Sequence, residues 1–217
     1  MSQLIFKFPF KTNYFEEDFY VSENNFDAYK LIESWPKWSS RFINIFGPSG
    51  CGKTHLANIF KKKINSFLIK ASEINNDSLP LVKSKECLII DNYKNNIEEK
   101  LFYSLLNQSY QSNQYVIINS LESIKTSSIV LKDLKSRFNS FIYIGIDLPT
   151  DDLIRVILTK NFSDKQVEIE PRLLEFILKN IDRSYEDIFD LIDKLDSLSL
   201  STGKSININL IKKVLNR

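Results

Sequence analysis

The sequence predicts an α/β fold in which a parallel sheet carries a phosphate-binding loop and a small all-α lid follows. Four short apolar runs, at residues 42–46, 87–91, 115–120 and 141–146, alternate with stretches whose apolar residues recur at helical spacing. A glycine-rich loop directly follows the first run. Beyond residue 147 only helical spacing remains, so we expect the sheet to end there.

Composition limits the function classes. The chain has 217 residues, 43% of them hydrophobic, which is enough for one domain or two small ones. A net charge of +2 argues against a nucleic-acid coat protein and a polybasic membrane binder. A single histidine (His55) and two cysteines (Cys51 and Cys87) provide no separate catalytic triad, zinc site or disulfide framework. Because neither a signal peptide nor a membrane span is recognisable, we expect a cytoplasmic protein.

The glycine-rich loop is the strongest functional signal. It reads GPSGCGKT and fits the pattern G-x-x-x-x-G-K-[ST] between a strand pattern and a helix pattern. Its backbone N–H groups and the helix N-terminus can surround phosphate, so we expect ATP or ADP as the ligand. The candidate nucleotide-binding residues of this loop are Gly47, Pro48, Ser49, Gly50, Cys51, Gly52, Lys53 and Thr54.

A Mg²⁺ site is expected beside the loop. The Thr54 hydroxyl is the candidate direct ligand, and Asp91, at the end of the run CLIID, is the candidate carboxylate. The next residue is Asn92, where many P-loop ATPases have an acid that orients the attacking water. An amide cannot take a proton from water at neutral pH, so we expect slow intrinsic hydrolysis. The alternative is that Asn92 merely begins a loop.

The expected organisation is an extended segment at 1–12, the nucleotide domain at 13–147 and the helical lid at 148–217. Two other P-loop classes have similar loops. An ABC transporter ATPase needs a second glycine-rich signature, but only Gly145 and Gly203 lie beyond the loop. A small nucleotide kinase needs a basic lid, and this chain has few arginines. Both classes therefore fit poorly.

Several segments resemble the AAA+ ATPases of the family that contains the bacterial replication initiator DnaA and its shorter relative Hda. Residues 18–36 are similar to the family's adenine-framing segment, and residues 53–56 (KTHL) to its entry into the first helix. Residues 71–73 (ASE) resemble its Ser-Glu element, residues 134–138 (LKSRF) its arginine-finger segment, and residues 183–196 its sensor-2 region. The resemblance covers nearly the whole chain and implies an AAA+ core with a lid.

The resemblance also implies roles for individual residues. Arg137 is the implied arginine finger and Asn119 the implied sensor-1 residue, with Ser120 as the neighbouring candidate. The implied nucleotide contacts outside the phosphate loop are Phe19, Tyr20, Val21, Asn25 and His55.

The lid departs from the family pattern. Glu186 stands where the family has a sensor-2 arginine, and Arg183 lies three residues earlier. Either Arg183 takes over that contact, so that Arg183→Ala weakens nucleotide affinity several-fold, or the lid makes no charged contact to phosphate.

Three features of the chain resemble the Hda branch of the family more than they resemble DnaA. Only residues 74–86 separate the Ser-Glu element from the strand that ends in Asp91, and the chain ends at Arg217 without a DNA-reading domain. The pair Asp91–Asn92 also resembles that branch. We therefore expect no sequence-specific DNA binding.

The first residues resemble a sliding-clamp-binding peptide. The segment QLIFKF supplies Gln3, Leu4, Phe6 and Phe8, and Pro9 favours an extended Phe8. An edge strand or a tail is the alternative interpretation.

The resemblance implies a negative regulator of replication initiation that binds the DNA-loaded clamp and stimulates hydrolysis of DnaA-bound ATP. Its partners are then DnaA and the clamp. No membrane association is expected, and a homodimer is possible. Two alternatives remain open: an active ATPase that loads a helicase, and a clamp adaptor in which nucleotide is structural.

Overall fold

The computed structural model describes residues 14–167, 169–203 and 205–215. Contacts divide the chain into one unit from Tyr14 to Asp147 and a second that begins at Leu148. The first unit contains a five-stranded sheet. Its strands are β1 (Phe42–Phe46), β2 (Ser66–Lys70), β3 (Cys87–Tyr93), β4 (Tyr115–Ser120) and β5 (Ile142–Gly145).

The described helices alternate with these strands and then continue alone. They are α1 (Phe26–Glu33), α2 (Lys53–Lys63), α3 (Ser78–Lys83), α4 (Glu99–Gln111), α5 (Lys132–Phe138), α6 (Asp151–Asp164), α7 (Pro171–Leu178), α8 (Tyr185–Thr202) and α9 (Ile208–Val214).

The sheet has the order β2-β3-β4-β1-β5, and every pairing is parallel. The predicted α/β architecture with a helical lid is therefore confirmed. Strands β1 and β4 have the predicted bounds, whereas β3 continues two residues beyond Asp91. Because β1 lies between β4 and β5, its carboxyl end and the loop that follows are flanked by a strand on each side.

The sheet unit has a closely packed apolar core on the face covered by α4 and α5. Ile90, Ile118, Phe102, Leu105 and Leu134 are all fully buried there. Each such side chain stabilises the fold by about 1.5–3 kcal/mol. This packing positions the carboxyl ends of β3 and β4 beside β1.

The lid is built from α6 to α9 around its own core, which includes Leu158, Phe162, Ile177, Ile188 and Leu195. Its helices begin with side-chain caps or proline: Thr150, Ser184 and Asn207 each accept an N–H of the first turn, and Pro171 opens α7. Among the described residues, every helix falls short of the length and apolar character that a membrane span requires.

Candidate functional site

The loop after β1 is held at both ends by contacts that only glycine permits. The Gly47 N–H donates to the Ser120 carbonyl at 3.3 Å, and a Cβ on Gly47 would lie 2.5 Å from the Ile146 carbonyl oxygen. Gly52 has φ +98° and precedes α2, and a Cβ there would lie 2.9 Å from the Phe19 ring. A larger residue at Gly47 would push the loop away from Ile146, and one at Gly52 would strain the backbone and displace the Phe19 ring.

Lys53 spans the loop that precedes it. Its Nζ donates to the carbonyls of Gly47 (2.7 Å) and Pro48 (2.8 Å) and lies 3.5 Å from the Cys51 Sγ. The carbonyls are neutral, so these contacts leave the positive charge of Lys53 uncompensated. Burial raises the pKa of the Cys51 thiol, which keeps it protonated at neutral pH.

The two predicted metal residues are in contact. The Thr54 Oγ1 donates to the Asp91 Oδ2 at 2.9 Å, and the Asn119 Nδ2 donates to the Asp91 Oδ1 at 2.9 Å. Asp91 is 8% exposed and Asn119 is fully buried. The Asn119 Oδ1 has no hydrogen-bond partner among the described residues, which leaves an acceptor beside this cluster. A hydroxyl, a carboxylate and a spare amide oxygen fit a hydrated Mg²⁺, which prefers oxygen ligands.

Asn92 does not join this cluster. It is exposed, has φ +58°, and lies where the pairing of β3 with β4 shifts between Ile90 and Tyr93. The alternative that Asn92 begins a loop is wrong, because β3 continues to Tyr93.

A buried asparagine that the sequence analysis missed organises the strand end carrying Asn119. Asn44 lies in the middle of β1 and is fully buried. Its Nδ2 donates to the Ile118 carbonyl and the Ser120 Oγ, both at 2.9 Å, and its Oδ1 accepts the Ile124 N–H at 3.0 Å. A polar residue inside the apolar run FINIF was the available signal.

The predicted adenine-framing residues have different roles in the structure. Asn25 is buried and uses both ends of its amide on backbone, donating to the Tyr20 carbonyl and accepting the Ser22 N–H, each at 2.9 Å. Asn25 therefore fixes the backbone conformation of residues 20–25. The Tyr20 side chain is 47% exposed. The Asn24 side chain donates to the Asp147 carbonyl at 3.3 Å, so this segment is tied to the chain that follows β5.

Phe19 and His55 lie against each other at the start of α2. Their ring centroids are 5.3 Å apart in an edge-on arrangement, and Phe19 also stacks on Tyr29. The His55 Nε2 lies 2.6 Å from the Phe15 carbonyl. These contacts fix Phe19 over Gly52. For Val21 the structure gives only partial burial.

Arg137 lies on α5 and contacts α4. Its Nη2 donates to the Asn107 Oδ1 at 2.7 Å, and its guanidinium carbon lies 4.3 Å from the centre of the Tyr110 ring. Neither contact was visible in the sequence, because Asn107 and Tyr110 precede Arg137 by about thirty residues.

The amino end of α5 is held by the same helix, α4. The Glu99 carboxylate accepts the Val130 N–H at 3.0 Å and the Leu131 N–H at 2.6 Å. Glu99 therefore holds the two residues that lead into α5. The segment that carries Arg137 is therefore anchored at both ends.

Within the lid, Arg183 forms an ion pair. Its Nε and Nη2 donate to the two carboxylate oxygens of Asp151 at 2.9 and 3.2 Å. The arginine lowers the pKa of Asp151, mainly through the hydrogen bond, and both side chains are exposed. Glu186 lies in the first turn of α8 and is exposed. The segment with Gln3, Leu4, Phe6 and Phe8 lies outside the described residues.

Family models match two parts of the chain. The model described as the Hda lid domain matches residues 151–215, and the model described as RNA helicase matches residues 43–138. The first covers the helical unit and the second covers the strands around the phosphate loop.

Curated relatives align with nearly the whole chain. DnaA of Buchnera aphidicola subsp. Baizongia pistaciae is 27% identical, and the alignment covers 99% of this chain and 53% of DnaA. An uncharacterized protein of Haemophilus influenzae is 25% identical, with 92% of each chain covered. This chain spans about half the length of the DnaA relatives it matches.

Solved structures share the fold. Domain III of Thermotoga maritima DnaA has a TM-score of 0.77 at 20% identity, covering 96% of this chain and 98% of that domain. The branch-migration motor RuvB of the same organism has a TM-score of 0.61 at 22% identity, covering 81% and 61%. These likenesses show the fold: a parallel α/β sheet unit and a helical unit.

Proposed function

Because this chain belongs to the DnaA/Hda family of AAA+ proteins, we propose that it is a cytoplasmic negative regulator of replication initiation. It binds ATP or ADP with Mg²⁺ and docks on the DNA-loaded sliding clamp through residues 3–8. There it stimulates hydrolysis of the ATP bound to DnaA, with Arg137 as an arginine finger supplied in trans.

Nucleotide binding is supported by the phosphate loop. Lys53 carries an uncompensated charge at the loop, and Thr54 and Asp91 are in contact where a P-loop protein holds Mg²⁺. When bound, the ion neutralises charge on the phosphate oxygens. Phe19, fixed over Gly52, and the exposed Tyr20 offer apolar surface to the base.

Weak hydrolysis by the protein itself is supported by Asn92. Its side chain is an amide, it is exposed, and it is outside the Asp91 cluster. No proton can be taken from water by this group at neutral pH. A helicase loader needs robust turnover, so this feature favours the regulator.

The observation that carries the proposal is the arrangement of Arg137. Its partners are a neutral amide and a neutral ring on α4, so its charge is retained. An arginine finger stabilises the charge that develops on a transferring phosphoryl group and accelerates hydrolysis by about 10³–10⁵. An arginine that keeps its charge and is only half-buried suits that task.

The test is hydrolysis of radiolabelled ATP prebound to DnaA, in the presence of clamp-loaded DNA. Wild type, Arg137→Ala and a deletion of residues 3–8 are compared. Arg41→Ala is the matched control, because Arg41 also lies over a tyrosine ring, Tyr115, at 5.8 Å, and donates to a neighbouring carbonyl. Each variant's own nucleotide affinity is measured beside it.

We expect stimulation by wild type and Arg41→Ala and its loss in the other two variants, all with unchanged nucleotide affinity. Failure of wild type to stimulate, with ADP supplied, contradicts the regulator and favours the clamp adaptor. Full stimulation by Arg137→Ala contradicts the role of Arg137 as the arginine finger but leaves the regulator proposal standing.

A further inference from the structure

The guanidinium of Arg137 is held on two sides by α4. Asn107 and Tyr110 are three residues apart on that helix and so share a face. The amide oxygen of Asn107 accepts one N–H at 2.7 Å, and the guanidinium carbon lies over the Tyr110 ring, 4.3 Å from its centre. An arginine has five N–H donors, so one hydrogen bond leaves most of them available.

The partners of Arg137 have no charge. Among residues 14–167, 169–203 and 205–215, no carboxylate lies within ion-pair distance of Arg137, whereas Arg155 pairs with two carboxylates and Arg172 and Arg183 with one each. A carboxylate would offset the charge before a phosphate arrived and would have to be displaced. An amide oxygen and a ring orient the group without offsetting its charge.

We propose that Asn107 and Tyr110 are positioning residues that hold Arg137 ready for a phosphate of a second protein, and that their neutrality is the property required. The inference rests on the proposed function of Arg137. Neither residue touches the phosphate, and both act through the guanidinium.

The first test is the DnaA-bound ATP hydrolysis described above, with variants on α4. Tyr110→Leu removes the ring and Tyr110→Phe keeps it; since Tyr110 is 54% exposed, both should fold. We expect Tyr110→Leu and Asn107→Ala to lower stimulation by about threefold to tenfold, and Tyr110→Phe to retain it. Gln111→Ala, an exposed neighbour at the end of α4, is the matched control.

Asn107→Asp is the decisive variant. It keeps the side-chain size and the oxygen that accepts from Arg137 but adds a negative charge. We expect a larger loss than with Asn107→Ala, about tenfold or more, although Arg137 is then held more tightly. Stimulation at the wild-type level by Asn107→Asp would overturn the requirement for neutrality.

The second test does not depend on DnaA. In the NMR spectrum of the protein alone, the Nε–H of Arg137 should show an upfield ring-current shift that Tyr110→Leu abolishes and Tyr110→Phe preserves. Absence of that shift in wild type overturns the inference directly.

The two proposals fail in different ways. If wild type stimulates hydrolysis but Tyr110→Leu and Asn107→Ala do so equally well, the positioning role is wrong and the regulator stands. If the stacked Arg137 is seen by NMR but wild type does not stimulate DnaA, the regulator is wrong and the phosphate-directed role of α4 is rejected with it.

Discussion

Two arginines singled out by the sequence, Arg137 on α5 and Arg183 before α8, are held in opposite ways. Arg183 donates to both carboxylate oxygens of Asp151, so its charge is offset within the lid. Arg137 donates to an amide and lies over a phenol ring, so its charge is kept. Partner chemistry therefore separates an arginine with a local structural contact from one available to an outside anion.

Lys53 extends this comparison and should give the largest effect on nucleotide binding when it is changed. It resembles Arg137 in being held by neutral oxygens, the carbonyls of Gly47 and Pro48. We expect Lys53→Ala to weaken ATP affinity by about tenfold to a hundredfold, because a charged donor to phosphate contributes about 1.5–3 kcal/mol. The measurement is titration with a fluorescent ATP analogue.

Lys61→Ala is the control for that titration, since Lys61 is exposed in the last turn of the same helix, α2. Its affinity for the analogue should equal that of wild type. An affinity of Lys53→Ala within twofold of wild type would refute the role of the retained charge.

Asn44 tests how much the hydrogen bonds of one buried, neutral amide contribute to the stability of the fold. Asn44→Ala removes partners from the Ile118 carbonyl, the Ser120 Oγ and the Ile124 N–H, all at the strand end that carries Asn119. We expect the free energy of unfolding in urea to fall by about 2–4 kcal/mol. Ser120→Ala removes one of these contacts and should cost less than half as much. Equal losses in the two variants would contradict the network.

Asp151 gives the smallest expected effect and tests the second arginine of the comparison, Arg183, whose charge is offset by a carboxylate. Because Arg183 lowers the pKa of Asp151 below its usual 3.8, the pair stabilises the fold above about pH 4. That contribution is lost as pH falls through the lowered pKa. The unfolding temperature of Asp151→Asn should therefore lie slightly below that of wild type at pH 6, and the two should converge as the pH falls below the lowered pKa of Asp151.

Asp182→Asn is the control for that pH series, since Asp182 is an exposed lid residue. Its unfolding temperature should follow wild type throughout. A constant difference between Asp151→Asn and wild type across the whole pH range would show that the ion pair does not cause the effect.

Local sequence determined four of the five sheet strands and the phosphate loop, but not β2. The runs at 42–46 and 115–120 are strands with those bounds, and the spacing of Gly47, Gly52 and Lys53 predicted a loop between strand and helix. The contact of Thr54 with Asp91 also followed, because carboxyl ends of parallel strands meet at one edge of a sheet. These features depend on residues close in sequence or on a general rule of parallel sheets.

Only the tertiary structure determined which side chains contact Asn44, Arg137 and Arg183. The Asn44 contacts join residues 74 to 80 positions apart, and the Arg137–Asn107 and Arg183–Asp151 contacts join residues 30 and 32 positions apart. No periodicity encodes such pairs, because they depend on how one helix or strand packs against another. The sequence could therefore identify both arginines, but packing alone determined that one meets a carboxylate and the other an amide and a ring.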